Sequence, residues 1–214
     1  MIEGFQLATS EDAGRFVDYK VPKHTRFEPQ LWADSSIDGV TGPYAYALDL
    51  PFIGMCPPGE LSSNTIYDES PIPNERHLNE LNLRQLFERD GLVHVSKDCV
   101  PRDNCHVIAV RYTLGTENEQ PSLAILRRDQ DGTWSYKHSF GYKACNDNKS
   151  VLNTDSELEL ITDPEKANLA KLTEFVGYFA APYDGILYRP RVHIPEHIWP
   201  MQVKQSPNLA LRTT

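Results

Sequence analysis

Residues 123–138 read LAILRRDQDGTWSYKH, and this stretch decides the fold because it carries the strongest hairpin signal in the chain. Apolar residues fill positions 123–126, a turn-forming Asp131-Gly132 pair follows, and Trp134 and Tyr136 then alternate with polar residues. An Asp-Gly pair between two runs of this kind is typical of a β-hairpin. The sequence therefore predicts antiparallel strands at 123–128 and 133–138.

Further strands are predicted on both sides of the hairpin. Runs rich in β-branched and aromatic residues predict strands at 92–96 and 106–113, and the run EFVGYFAAP at 174–182 predicts a last one. A loop is expected over 139–160, followed by a short helix that starts at Asp163-Pro164.

Two helices are predicted before the strands. Apolar residues at helical spacing mark one face of a helix over 77–89, which Asp90-Gly91 ends. Pro43 in front of the run YAYALDL predicts a short buried helix, because proline is favoured at the first helical position. The proline- and glycine-rich residues 51–63 are expected to be irregular. Helices followed by a meander of strands predict an α+β fold with an antiparallel sheet.

The two ends of the chain differ from the middle in composition. We interpret 1–36 as an extended N-terminal arm, 37–183 as the α+β domain and 184–214 as an extended C-terminal arm, since prolines punctuate both ends. The arms hold Trp32, Trp199 and Met201, and aromatic anchors are typical of partner-binding segments. Two readings stay open: the arms bind protein partners, or they wrap their own domain.

Composition excludes several classes of partner. The 214 residues carry 21 Lys+Arg against 30 Asp+Glu, a net charge of −9, so nucleic acid is not an expected partner. No apolar run reaches the ~18 residues that a membrane span requires, and the first residues show no signal peptide. We expect a cytoplasmic or virion protein that binds no membrane and no cofactor.

Neither the cysteines nor the histidines predict a metal site. The four cysteines, at 56, 99, 105 and 145, form no C-x-x-C pair, and reduced thiols are the expectation. His193 and His197 have the spacing of two ligands on one helix turn, but Pro195 lies between them. An exposed turn is therefore expected there.

Three motifs resemble those of a group of papain-like cysteine hydrolases related to cell-wall peptidases. The run GPYAYALDL (42–50) with PPGELS resembles NCYAYAL…PGE, the nucleophile helix of that group. The stretch LAILRRDQDGTWSYKHS resembles DYHFYRQDxDGTWSHKPG, and LITDP…EFVGYF resembles the ending ITDP…YxxFVGYF. The resemblance covers about residues 38–182 and implies a papain-like fold, with short helices packed on an antiparallel sheet.

The resemblance also implies that the catalytic residues are lost. The family cysteine falls on Pro43, which has neither a thiol nor an amide hydrogen, and the two histidines fall on Ala124 and Tyr136. With Tyr44 and Trp134, these positions would form a degenerate cleft. One fallback pair remains, because Cys56 and His138 lie near the expected nucleophile and base in the sequence.

The expected function is therefore that of a catalytically inactive papain-like scaffold. We expect a structural or interaction subunit of a larger assembly, and name a phage or virus particle, in which the chain would be a minor, decoration or joining protein. Two alternatives stay open. One is an active cysteine peptidase or amidase with a rearranged site, and the other is an immunity or inhibitor protein that binds a peptide in the dead cleft.

Overall fold

An antiparallel sheet of six strands organises the chain. The computed structural model describes residues 17–19, 32–33, 35–38, 40–61, 80–97, 106–113, 122–137, 144–145, 160–167, 169, 174–181, 186–188 and 192. Across the sheet, the strand order is β2-β7-β3-β4-β5-β6. These strands are β2 (Val93–Val95), β3 (His106–Thr113), β4 (Ser122–Arg128), β5 (Trp134–Lys137), β6 (Ala144–Cys145) and β7 (Glu174–Ala181). The α+β class and the antiparallel sheet expected from the sequence are confirmed.

Three described α-helices precede the sheet along the chain: α1 (Ser35–Asp38), α2 (Pro43–Leu48) and α3 (Glu80–Arg89). Pro43 occupies the start of α2 as predicted, and Asp49 ends the helix in the left-handed conformation, with φ of 57°. Helix α3 ends at Arg89, and Gly91 follows with φ of 88°.

The sheet buries both of its faces, and strand alternation assigns each side chain to one of them. The face that α2 and α3 cover, here called the helix face, carries Ile108, Val110, Ile125, Val176 and Phe179. The opposite face, here called the turn face, carries Val107, Ala109, Ala124, Leu126, Trp134, Tyr136 and Tyr178. Three residues that come before β7 in the sequence pack on the turn face, because they belong to the same apolar cluster: Ile161, Ala167 and Leu169.

A β-bulge interrupts the pairing of the central strands. Val110 pairs with Gly177 while Arg111 pairs with Phe175, so β7 carries one extra residue, Val176. The Arg84 side chain from α3 donates a hydrogen bond of 3.2 Å to the Val176 carbonyl. A helix side chain thereby satisfies a backbone group at the bulge.

A second, two-stranded sheet joins the two predicted arms. Strands β1 (Val17–Tyr19) and β8 (Ile186–Tyr188) pair antiparallel, with Val17 opposite Tyr188. Ile186 and Tyr188 are buried in the helix-side core, and so is Trp32 at 1% exposure. The predicted limits 37–183 therefore leave out part of the domain's own core, because segments on both sides of them complete it.

Three local predictions need correction. The loop expected over 139–160 contains β6, which pairs with β5 through Tyr136 and Cys145. Residues 164–166 form a turn where a short helix was predicted after Asp163. Residues Pro51–Ile53 form a 3-10 helix in the segment expected to be irregular, because Pro51 fixes the first φ of that turn.

Candidate functional site

A layer of buried polar side chains lies between α2 and the helix face of the sheet. We call it the polar layer. Its buried residues are Asp49, His106, Arg127, Asp129, Ser135 and Lys137, and Asp38, whose side chain is 23% exposed, lies at its edge. Buried charges are stable only when they are paired, so the contacts of each cation decide what this layer can do.

Lys137 joins β5 to the segment that leads into α2. Its ammonium is fully buried, lies 3.0 Å from Asp38 Oδ1, and donates to the Thr41 carbonyl at 3.2 Å. Both partners come just before Pro43, the first residue of α2. The cation therefore fastens the sheet to the N-terminal end of the helix.

Arg127 links the sheet to the C-terminal end of α2. Its guanidinium is fully buried and lies 2.9 Å from Asp49 Oδ1 and 3.1 Å from Asp129 Oδ1. The guanidinium carbon also lies 4.2 Å from the centre of the Tyr46 ring, a cation–π contact. Burial raises the pKa of Asp129 even with Arg127 beside it, because the side chain has little contact with water.

The two neutral residues of the polar layer are Ser135 and His106. The Tyr46 hydroxyl lies 2.6 Å from Ser135 Oγ, and burial raises the pKa of Tyr46. The ring of His106 donates from Nε2 to the Ala47 carbonyl. Burial lowers the pKa of His106 to about 4, and the nearby Arg127 charge also lowers it. The imidazole is therefore neutral near pH 7 and serves as a hydrogen-bond donor to the end of α2.

A second polar cluster lies where α2, α3 and the segment after α2 meet. The Asp90 carboxylate accepts hydrogen bonds from the Tyr44 hydroxyl at 2.9 Å, the Leu61 amide at 2.9 Å and the Gly59 amide at 2.5 Å. Burial raises the pKa of Asp90 to about 6 despite these three donors. Burial also raises the pKa of Tyr44, and smaller contributions come from Asp90 and Cys56.

The residues of the predicted cleft do not come together on one side of the sheet. Pro43 and Tyr44 lie on the helix side, whereas Ala124, Trp134 and Tyr136 belong to the cluster on the turn face. Their strand neighbours Arg127, Ser135 and Lys137 face α2 instead. The prediction of one cleft lined by all five residues is therefore corrected, because the strand positions have the wrong parity to face the helix.

The fallback catalytic pair is described only in part. Cys56 has a reduced thiol, is 3% exposed and lies 3.4 Å from the Pro57 carbonyl. It follows the 3-10 helix and does not begin an α-helix, so no helix dipole favours its thiolate. His138 lies outside the described residues, and the pair stays a prediction.

Of the three residues predicted as partner anchors in the arms, the structure describes Trp32 only. Trp32 is buried and packs edge-on against Tyr46, with 5.0 Å between the ring centres. It is therefore a residue of the chain's own core and is not available as a partner anchor. Trp199 and Met201 lie outside the described residues, so their role stays a prediction.

Sequence reasoning missed most of the polar residues that matter here. From the sequence, Asp90 is interpreted only as a helix end, and neither Arg127 nor Lys137 is predicted as a site residue. One signal was present in the sequence: Arg127 and Lys137 alternate with apolar residues on strands that are otherwise buried. A charge at such a position predicts a buried pair when both faces of a strand are covered.

In the part of the chain that the structure describes, no three His, Cys, Asp or Glu side chains lie close enough together to hold a metal ion. Of the helices described, none has the length and apolar character needed to cross a bilayer.

No protein-family model, no curated protein and no solved structure matches this chain.

Proposed function

We propose that this chain is a catalytically inactive scaffold of papain-like ancestry that serves as a subunit of a larger protein assembly, concretely a phage or virus particle. The observation that carries the proposal is Pro43 at the first position of α2. A cysteine hydrolase of this kind needs a thiolate at that point, and proline supplies neither a nucleophile nor an amide hydrogen.

The chemistry around Pro43 supports an inert site. Two charged groups at the segment before Pro43, Lys137 and Asp38, pair with each other, and Lys137 also donates to the Thr41 carbonyl. The neutral His106 ring is engaged with the Ala47 carbonyl at the opposite end of the helix. A general base must reach a substrate proton, whereas this imidazole is fully buried beneath α2.

The proposed partner contact lies in the C-terminal segment. Within the described residues, the large apolar side chains that are mostly exposed are Met55, Val93 and Leu160, which lie on three separate elements. Such isolated residues do not form an interaction patch. Trp199 and Met201 occur close together in the sequence, and Trp is a frequent anchor of protein interfaces.

Thiol chemistry tests the inactive site. We expect a broad thiol-directed activity probe to label Cys56 no faster than it labels free thiols in model peptides, and Cys56→Ser gives the background. Rapid stoichiometric labelling of Cys56 that His138→Ala abolishes would favour the cysteine peptidase or amidase instead.

Incorporation tests the assembly. In the native setting, particles that contain the chain are isolated by sedimentation and its copy number is measured by mass spectrometry. We expect the double change Trp199→Ala and Met201→Ala to lower that copy number at least tenfold without changing the melting temperature of the isolated chain. Val93→Ser, which removes an exposed apolar group from β2, is the matched control. Wild-type chain that sediments only as a monomer contradicts the proposal.

A further inference from the structure

The segment that follows α2 crosses the ends of two helices, and we call residues 50–61 the strap. Its first part is fastened to α2, because the Leu50 amide donates to the Ala45 carbonyl and the Gly42 amide donates to the Gly54 carbonyl. Its middle part is covered from outside, since the Val192 amide donates to the Phe52 carbonyl.

The far end of the strap is fastened differently. Asp90 accepts from the amides of Gly59 and Leu61, and its third donor is the Tyr44 hydroxyl on α2. One carboxylate therefore holds three elements together: α2, the strap and the end of α3. Asp90 is 5% exposed, so these hydrogen bonds replace water that the carboxylate loses on folding.

The far end of the strap lies so close to α3 that residue 59 has no room for a side chain. Gly59 has φ of 88°, and a Cβ built on it would lie 2.6 Å from Leu86 Cδ2 on α3. The Tyr44 ring packs edge-on against Phe87, and Cys56, itself a residue of the strap, is 3% exposed. In the closed arrangement of the strap, the thiol is therefore buried.

We propose that Asp90 is a latch, and that its release opens residues 56–61 locally and exposes Cys56 while the six-stranded sheet stays folded. The inference is independent of the proposed function. Its physical basis is the contrast between the two ends of the strap. At the near end, backbone groups of the strap bond to α2, whereas at the far end the amides of Gly59 and Leu61 both bond to one side chain, Asp90. Local openings of this kind need less free energy than global unfolding.

Thiol labelling tests the latch. In a background with Cys99→Ser, Cys105→Ser and Cys145→Ser, the labelling rate of Cys56 by Ellman's reagent is measured as urea is increased below the unfolding transition. A local opening exposes little surface, so we expect a shallow urea dependence compared with the global unfolding equilibrium. We expect Asp90→Asn to raise the labelling rate in buffer at least tenfold, since one amide oxygen cannot accept from three donors.

Asp129→Asn is the matched control, because it removes another buried carboxylate that does not touch the strap. Its labelling rate should rise only by the factor that its loss of global stability predicts. If Asp90→Asn does not fold, Tyr44→Phe removes one of the three donors and should raise the rate severalfold. The proposal is overturned if Cys56 labelling follows global unfolding in every variant, with the full urea dependence and no excess for Asp90→Asn or Tyr44→Phe.

Discussion

The two faces of the sheet are stabilised by different chemistry. On the helix face, Arg127 and Lys137 are fully buried and pair with carboxylates, and His106 is buried as a neutral ring. On the turn face, aromatic rings dominate, and Arg111 donates to the carbonyls of Glu165 and Ala167. Removing one partner of a buried ion pair leaves an uncompensated charge in the protein interior. Removing an apolar contact or a hydrogen bond to a carbonyl leaves no such charge. The helix face should therefore be the one that is sensitive to charge and to pH.

The largest effect is expected from Arg127→Met. The substitution leaves Asp49 and Asp129 without their cation, and removing one partner of a buried pair typically costs about 3–5 kcal/mol. Urea unfolding followed by tryptophan fluorescence measures the change in the free energy of unfolding.

Two control variants set the scale for the loss of stability measured with Arg127→Met. Arg128→Met changes the next residue, which is half-buried on β4, and should alter stability by no more than about 0.5 kcal/mol. Arg111→Met should cost about 1–3 kcal/mol, because it strands backbone carbonyls, whereas Glu174, the carboxylate that attracts Arg111, is exposed to water. Equal losses for Arg127→Met and Arg111→Met would contradict the contrast between the faces.

His106 gives the next largest effect, and it depends on pH. Burial lowers its folded pKa to about 4 from an ordinary value of 6.5, so the folded state disfavours the proton. The stability that the neutral ring contributes is complete above pH 6.5 and is lost as the pH falls to 4, by about 3 kcal/mol. His106→Gln keeps a donor for the Ala47 carbonyl and should abolish this dependence in urea unfolding at pH 4, 5, 6 and 7.

Asp90 should make the free energy of unfolding change with pH in the opposite direction to His106. Its folded pKa of about 6 lies above the ordinary 3.8, so the folded state favours the protonated acid. Its contribution is complete below pH 3.8 and falls by about 3 kcal/mol as the pH rises to 6. Tyr44 and Arg89 also act on Asp90, so a comparison of Asp90→Asn with the wild-type chain isolates the share of Asp90 in the pH dependence.

In the wild-type chain, the pH dependences that His106 and Asp90 give to the free energy of unfolding have opposite signs and largely cancel. Across pH 4 to 6, we expect the free energy of unfolding to fall for His106→Gln and to rise for Asp90→Asn. Parallel pH curves for the two variants would show that these groups do not carry the dependence.

The smallest effect compares two tyrosine hydroxyls. Tyr46→Phe removes a buried hydrogen bond to Ser135 and should cost about 1 kcal/mol. Tyr178→Phe removes a bond to Glu165, whose carboxylate is partly in water, and should cost less. Thermal unfolding of both variants side by side measures the difference, and a larger loss for Tyr178→Phe would reverse the proposed order of the two faces.

The strands were predictable because their runs are rich in β-branched and aromatic residues and the Asp131-Gly132 turn fixes the hairpin. What alternation could not give is the face that α2 covers, since both faces of β4 and β5 are buried. The resemblance assigned Ala124 and Tyr136 to that side, one position away from the residues that occupy it. A shift of one residue along a strand exchanges its faces, so a small misalignment displaced the whole predicted cleft.

The candidate site was harder to predict than the fold. The burial of Lys137 depends on Asp38, which is far from it in sequence, and the role of Asp90 depends on amides of Gly59 and Leu61. Pairings of this kind leave no local pattern, because each partner alone has the composition of a surface residue or a turn.

The pairing of β1 with β8 has a consequence for synthesis on the ribosome. Trp32 emerges early, whereas Ile186 and Tyr188, which complete the same core, emerge on the order of ten seconds later at ordinary translation rates. During that interval the apolar core to which Trp32 and Tyr46 belong lacks two of its buried members, Ile186 and Tyr188. Production of this chain should therefore depend on the cell's capacity to shield nascent polypeptides more than its modest size would suggest.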